Sequence, residues 1–228
     1  MNNKSRTFVL GDLHGGYKAL LQVLERSKFN YENDTLISLG DIADGWTEVV
    51  ECFDELFKIK NFIMVRGNHD QWLKDWLKKG EQPDIWVKQG GQNTIASYEK
   101  HGQTTKNRHL GFLKNTPFYY VDSKNRLFVH GGYIDGVPLE KQDKMELMWS
   151  RRFREQPQLC EEVKDFAEIF IGHTTVWRIS PVPFKVGRVT FCDTGGGWEG
   201  VLSLLDVDSR AVYQSDLVSE LYPNVRPR

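Results

Sequence analysis

Leu36-Ile37-Ser38-Leu39-Gly40-Asp41-Ile42-Ala43-Asp44-Gly45 is the stretch that decides how the rest of the chain is read. An apolar run of strand length stops at a glycine, and two carboxylates three residues apart follow in what must be a loop. Alone, such a sequence reads as a hydrogen-bonded acidic turn. The same event recurs at four other places. Gly11-Asp12-Leu13-His14-Gly15 follows the apolar run Thr7 to Leu10, and Gly67-Asn68-His69-Asp70 follows Phe62 to Val65. His130-Gly131 follows Leu127 to Val129, and Gly172-His173 follows Ile169 to Ile171. Four of the six histidines therefore sit at these tips, which structural need alone does not explain.

Between the runs lie amphipathic stripes. Tyr17, Leu20, Leu21 and Leu24 recur at i, i+3, i+4 and i+7, Val49 to Phe57 repeat the stripe up to about Lys60, and Trp72 to Leu77 mark a third helix ending near Gly80. Three successive strand-loop-helix units predict a parallel half-sheet, with its chemistry at the C-terminal strand ends. Further on, a short helix is expected from Asn93 to Lys100, then a polar span carrying His101 and His109 down to Pro117. Phe118 to Val121 and Leu127 to Val129 read as a hairpin about Asp122-Ser123-Lys124-Asn125. Asp143 to Lys164 is charged and helical on both sides of Pro157. Val186 to Cys192, Val201 to Val207 and Ala211 to Gln214 supply later strands. A parallel half followed by a mostly antiparallel half implies an α/β fold, a two-sheet β-sandwich flanked by helices.

At 228 residues with no linker-like tract, residues 1–228 are expected to form one domain. Thirty basic against thirty-one acidic residues leave a net charge of -1, so nothing global draws the chain to nucleic acid or an anionic membrane. Cys52, Cys160 and Cys192 are odd in number and unclustered, which fits small apolar packers in a reducing cytoplasm. The start of the chain holds no apolar stretch of signal-peptide length, and no apolar run reaches about eighteen residues. A cytoplasmic location is the expectation.

Asp, Asn and His converging from five strand ends suit a two-metal centre. Divalent ions take carboxylate, amide and imidazole donors, and one shared carboxylate can hold two of them about 3.5–4 Å apart. Asp41 is placed as that bridge. Asp12 and His14, two residues apart, share a face if the chain is still extended, while Asn68, His130 and His173 complete the second ion. Such a pair lowers the pKa of a shared water and aims hydroxide at a bound phosphorus.

With these motifs in view, the chain resembles the calcineurin-like metallophosphoesterases, in particular the phosphoprotein phosphatase family in its small bacterial and phage form. Gly11 to Gly15 match that family's GDxHG motif, Gly40 to Gly45 part of GDxxDRG, and Gly67 to Asp70 GNH[DE]; His130-Gly131 and Gly172-His173 match the late metal histidines. The resemblance implies a dinuclear centre usually active with manganese, with iron, zinc or nickel as alternatives, and in-line attack by a bridging hydroxide on a phosphoprotein or small phosphoester. By position, His69 matches the general acid and Asp44 the carboxylate that orients it, a pairing that fixes the imidazole tautomer and favours its protonated form. Arg151, in Trp149-Ser150-Arg151, resembles the stretch where small members keep a phosphate-gripping arginine; a solvated basic face with Arg152 and Arg154 is the alternative. Arg66 is expected in a structural ion pair.

One departure stands out. Where the family has arginine after the second Asp, this chain has Gly45 and then Trp46. Losing one charge-assisted contact weakens recognition of a dianionic monoester by roughly 1.5–3 kcal/mol, unless Arg66 or Arg152 replaces it. Diesters then gain ground, so a phosphodiesterase or nucleotide hydrolase (2′,3′-cyclic nucleotide or dinucleoside polyphosphate) is the second reading. Retained Asp44 speaks against the diadenosine tetraphosphatase branch, in which that residue is commonly Asn. A non-catalytic scaffold of the same fold is a third reading, although such scaffolds usually lose ligands or the acid histidine. Outside these motifs, Gly195-Gly196-Gly197 reads as a flexible turn, Trp72 and Trp76 as core, His101 and His109 as surface, and Val225 to Arg228 as a frayed tail.

Overall fold

The computed structural model describes residues 5–227. The first half runs β1 (Thr7–Leu10), α1 (Tyr17–Arg26), β2 (Thr35–Ser38), α2 (Val49–Leu56), β3 (Asn61–Met64) and α3 (Asn68–Lys79). β1, β2 and β3 pair in parallel, with Val9 opposite Ile37 and Ile37 opposite Ile63. α3 opens with Asp70 reaching back to the Gly67 amide and closes at Gly80 in the left-handed region, φ 75°.

Next come α4 (Asp84–Trp86), α5 (Gln92–Glu99), α6 (Gln103–Asn115), β4 (Tyr119–Val121), β5 (Arg126–Val129), α7 (Lys144–Trp149), β6 (Glu168–Ile171), β7 (Phe184–Val186), β8 (Val189–Phe191), β9 (Ser203–Asp206) and β10 (Val212–Gln214). Two five-stranded sheets result, ordered β10-β9-β1-β2-β3 and β4-β5-β6-β8-β7. β9 and β10 return to the first sheet, where β9 lies antiparallel to both β1 and β10. The second sheet departs from the expected antiparallel half: β5, β6 and β8 run parallel, and only its edges β4 and β7 are reversed. Both sheets thus carry parallel centres whose strands end towards the same site.

Period-two alternation builds the layers. Phe8, Leu10 and Leu36 face the helices of the first sheet, while Val9, Ile37, Leu39, Phe128 and Phe170 pack between the sheets. Phe128 and Phe170 stack with centroids 4.9 Å apart and 8° between planes, pinning the β5–β6 register at the middle of the sandwich. Leu127, Val129, Ile169 and Ile171 fill the layer on the far face of the second sheet.

Several local expectations change. The polar span before Pro117 is the helix α6, packed on α3. His109 is fully buried on its inner face rather than at the surface, ringed by Phe53, Phe57 and Tyr98. It is held by the Tyr98 hydroxyl at 2.7 Å on Nδ1 and by Asp54 at 2.9 Å on Nε2. Val186 to Cys192 is not one strand: Val186 ends β7, the chain turns at Gly187, and Val189–Phe191 return antiparallel as β8. Asp143 to Lys164 breaks into three short helical pieces, α7, Arg152–Glu155 and Leu159–Glu162. The tail is seated: Val225 packs on the core and the Arg226 carbonyl accepts from Asn93 Nδ2 at 2.9 Å, while Arg228 lies outside the described residues. All three cysteines are buried and free. Among the described residues no helix is long and apolar enough to cross a membrane.

Candidate metal centre

The C-terminal ends of β1, β2, β3, β5 and β6 deliver Asp12, His14, Asp41, Asn68, His130 and His173 to one place. Their backbone is strained to do so. Of the seven non-glycine residues with positive φ among the described residues, four are His14, Asp41, Asp44 and His173, at 49°, 50°, 71° and 61°. Such conformations persist only where the surroundings over-determine them, and they concentrate at functional sites. His14 shows that the chain has already turned, so it shares a pocket with Asp12 through a bend and not through an extended i, i+2 pair. Gly67 is there because Asp41 presses on it: a Cβ at Gly67 would lie 2.1 Å from Asp41 Oδ1.

Asp41 is the centre of the arrangement. It belongs to two buried clusters, His14 with Asp41 and His69, and Asp41 with His130 and His173, whose ligand atoms lie within 4.8 Å of one another in each. Asp41 Oδ2 stands 3.2 Å from His130 Nε2 and 3.7 Å from His14 Nε2. Backbone carbonyls orient both rings, Leu39 O on His130 Nδ1 at 2.8 Å and Ala43 O on His14 Nδ1 at 3.0 Å, leaving Nε2 of each turned inward. Asn68 Oδ1 is 3.0 Å from His130 Nε2. Asp12 lies on the same cavity wall, outside both clusters, and accepts from the His173 amide.

Charge is crowded here. Burial opposes ionisation of Asp41, but His130, His69 and His14 hold its carboxyl well below the usual range. Burial likewise opposes a charge on His130, yet Asp41 and Asp12 push it up to about 10. Asp12 is driven well above its ordinary value by burial and by Asp193, while burial and His130 lower His173 to about 3. His173 Nε2 is buried without a hydrogen-bond partner. Paired carboxylates and a neutral, orphaned imidazole buried at one site call for a cation.

One member of the first cluster, His69, also belongs to a polar dyad. His69 Nδ1 is 2.6 Å from Asp44 Oδ2, and the His69 amide donates to Asp41 Oδ1 at 3.0 Å. Asp44 is wholly buried and also accepts from Trp86 Nε1 at 2.8 Å and from Thr94 Oγ1 at 2.7 Å. Asp70 is equally buried and accepts four backbone amides, those of Asp41, Ile42, Ala43 and Gly67. Burial and Asp41 together push Asp70 up to about 6.

Asp12, His14, Asp41, Asn68, His69 and His173 line a cavity of about 320 Å³ whose walls also include Gln89, Trp149, Arg151, Asp193 and Trp198, while Asp44, Asp70 and His130 lie behind that wall. Arg151 is exposed and is the only arginine or lysine lining it among the described residues. Arg66 is not at the site: its guanidinium donates to the Leu113 and Thr116 carbonyls and to Gln71, a structural role met by neutral acceptors in place of the expected ion pair. Arg152 turns to the Tyr133 carbonyl and Glu146. Neither substitutes for the arginine missing at position 45.

Gly195 to Gly197 form a close approach and not a loose turn, since a Cβ at Gly197 would fall 2.2 Å from the His14 ring. Trp46 Nε1 ties this loop down through the Gly196 carbonyl at 2.8 Å. Trp76 packs on the core as expected, whereas Trp72 stands edge-on to His69 and Trp149, backing the site. Sequence reasoning assigned no role to Asp70, Asp193, Trp86, Thr94 or Gln89. For Asp70 the cue was its place three residues after Gly67, where a helix-capping carboxylate stands; Asp193 also follows a strand.

The family model described as calcineurin-like phosphoesterase matches residues 5–207. "Serine/threonine-protein phosphatase 1" of Salmonella typhimurium is 32% identical over 210 residues, spanning 89% of this chain and 92% of that protein. "Bis(5'-nucleosyl)-tetraphosphatase, symmetrical" of Marinomonas sp. is 23% identical over 220 residues, 90% of this chain and 71% of the relative. In fold alone, the chain is similar to the crystal structure of a candidate diadenosine tetraphosphatase. The TM-score is 0.72 at 17% identity, over 93% of this chain and 94% of that one.

Proposed function

The chain belongs to the calcineurin-like phosphoesterase family, and from that premise we propose that it is a metal-dependent phosphomonoesterase of the serine/threonine phosphoprotein phosphatase type. One observation carries the reading: two buried groups of candidate ligand atoms share a single carboxylate, Asp41, on the wall of a cavity also lined by Arg151 and by His69, whose Nδ1 is backed by the buried Asp44. The donor set fits two divalent cations, since it is mixed carboxylate, amide and imidazole, and the orphaned His173 Nε2 has no other partner. We assign Asp12, His14, Asp41, Asn68, His130 and His173 as ligands and Mn²⁺ as the working metal, with Fe, Zn or Ni as alternatives. When bound, the ions polarise phosphoryl oxygens and lower the pKa of the attacking water.

The protein's own groups do the rest. Arg151 grips the phosphoryl oxygens with a planar fork. His69, its Nδ1 committed to Asp44, keeps Nε2 free for the cavity and passes a proton to the leaving oxygen, while Asp44 stabilises the imidazolium and fixes the ring. Both sheets contribute strand ends to the same centre, which supports residues 1–228 working as one catalytic domain. The three free, buried cysteines fit a reducing cytoplasm as its setting. The test is p-nitrophenyl phosphate hydrolysis with Mn²⁺, Ni²⁺, Fe²⁺ or Zn²⁺, with turnover expected and lost in Asp41→Asn together with metal stoichiometry. No turnover with any of the four metals, or full activity in Asp41→Asn, refutes the reading. A second reading, a diesterase or nucleotide hydrolase, is favoured by Gly45, which leaves Arg151 as the lone arginine or lysine on the wall among the described residues. A strong preference for p-nitrophenyl phosphate over bis-p-nitrophenyl phosphate and a 2′,3′-cyclic nucleotide rejects it.

A further inference from the structure

Position 45 is closed to any side chain. Gly45 has φ +75°, and a Cβ there would sit 2.8 Å from His14 Cβ and 2.9 Å from the His14 carbonyl. The flank of this corner is filled by the irregular turn Val87–Gly91, whose Gly90 has φ +100° and would put a Cβ 2.3 Å from the Gly45 amide. Gly91 lies flat on the Trp86 indole, where a Cβ would fall 2.6 Å from the ring. The turn is therefore wedged between Trp86, which donates to Asp44, and the Asp44-Gly45 corner. Its distortion is centred on Gln89, φ -96° and ψ 27°, and Gln89 is the residue the turn places on the cavity wall with His69 and Asp41. The Gln89 amide has no hydrogen-bond partner among the described residues.

We infer that Gln89 is the specificity-determining residue of the phosphoryl pocket, a neutral amide donor presented beside the corner from which the family supplies an arginine. The inference rests on the phosphoesterase reading and deepens it. A charge-assisted hydrogen bond to a phosphoryl oxygen is about twice as strong as a neutral one and strengthens with the charge on the acceptor. An amide in this place holds a singly charged diester nearly as well as a dianionic monoester. The pocket of this chain is thus tuned toward a smaller difference between the two, with Arg151 the one arginine or lysine on the wall, among the described residues, to read the extra charge beside the metal ions.

The test compares kcat and KM for p-nitrophenyl phosphate and bis-p-nitrophenyl phosphate on the Mn²⁺-loaded protein, and inorganic phosphate affinity by calorimetry. Gln89→Glu is expected to lower the monoester-to-diester ratio of kcat/KM and Gln89→Arg to raise it, each by roughly tenfold. Phosphate affinity should follow the same order, and Lys88→Ala, exposed on the same turn, should leave all values unchanged. Thermal melting and Mn²⁺ stoichiometry equal to wild type show that each variant is folded. Gln89→Glu, nearly isosteric, carries the test if Gln89→Arg disturbs the turn. Ratios and phosphate affinities within about twofold of wild type in both variants overturn the inference. Absence of turnover in the wild type sinks the phosphoesterase reading instead, and the phosphate titration still reports on Gln89.

Discussion

Replacing Asp44 by Asn removes a charge with almost no change of shape, at a position where every hydrogen-bonding partner is fixed by the fold. The carboxylate accepts from three donors, His69 Nδ1 at 2.6 Å, Trp86 Nε1 at 2.8–2.9 Å and Thr94 Oγ1 at 2.7 Å, with no exposure to water. The Thr94 hydroxyl cannot turn away freely, because its oxygen already accepts the Asp44 amide at 2.9 Å. An asparagine offers one acceptor oxygen and places an NH₂ against whichever donors remain. At least one buried donor is left unmatched, costing about 1–3 kcal/mol, or roughly 2–4 °C of Tm for each kcal/mol in a chain of this size. The larger effect is on proton transfer, since the amide no longer stabilises the imidazolium of His69. General acid catalysis contributes about 10²–10⁴-fold, and only where the leaving oxygen needs a proton. Asp44→Asn is therefore expected to slow phenyl phosphate hydrolysis by ~10²-fold or more, p-nitrophenyl phosphate less, and 2,4-dinitrophenyl phosphate by no more than about 5-fold. Metal content measured on the same samples separates this from ligand loss. An equal slowing of all three esters at full metal occupancy refutes the proton-transfer role and makes the dyad a support for the metal cluster.

Arg151→Ala should lower kcat/KM for p-nitrophenyl phosphate by about 1.5–3 kcal/mol, tenfold to roughly 150-fold, while leaving melting and metal stoichiometry unchanged; an effect below about threefold returns Arg151 to a solvated basic face. Phe128→Ala opens a void at the stacked pair between the sheets and should cost about 3–5 kcal/mol in urea denaturation, whereas a cost under about 1 kcal/mol contradicts the register argument. His109 supplies a pH dependence. Burial lowers its pKa in the fold against the opposing pull of Asp54, so the unfolded chain takes up the proton first. Stability should therefore fall as pH drops below the ordinary histidine value near 6.5. His109→Gln should flatten that slope between about pH 7 and 5, and an unchanged slope assigns the dependence elsewhere.

Residues that carry both a pattern and a charge were legible. Short apolar runs ending in glycine and Asp, Asn or His announced β1, β2, β3, β5 and β6 and every proposed ligand, because buried parallel strands must be apolar throughout and must release their polar residues at their ends. The α6 helix was hidden because its buried stripe contains His109, an imidazole satisfied by Tyr98 and Asp54 where an aliphatic residue would signal a helix. The parallel core of the second sheet was hidden because strand direction is set by the connections and not by strand composition. Gln89, Trp86 and Thr94 escaped notice for a related reason. They reach Asp44 or the cavity from far along the chain, through a glycine-bearing turn whose local sequence shows only a loop.

Asp70 gathers the amides of Asp41, Ile42, Ala43 and Gly67 onto one buried carboxylate, and so fastens the start of α3 to the loop after β2. None of these four hydrogen bonds uses the side chain of a proposed ligand. Metal uptake is then expected to proceed without the coupled folding that governs small zinc-dependent modules. The protein should gain melting temperature from added metal only as mass action dictates, rising with the logarithm of free metal concentration above Kd, and should return to the same folded baseline after chelation.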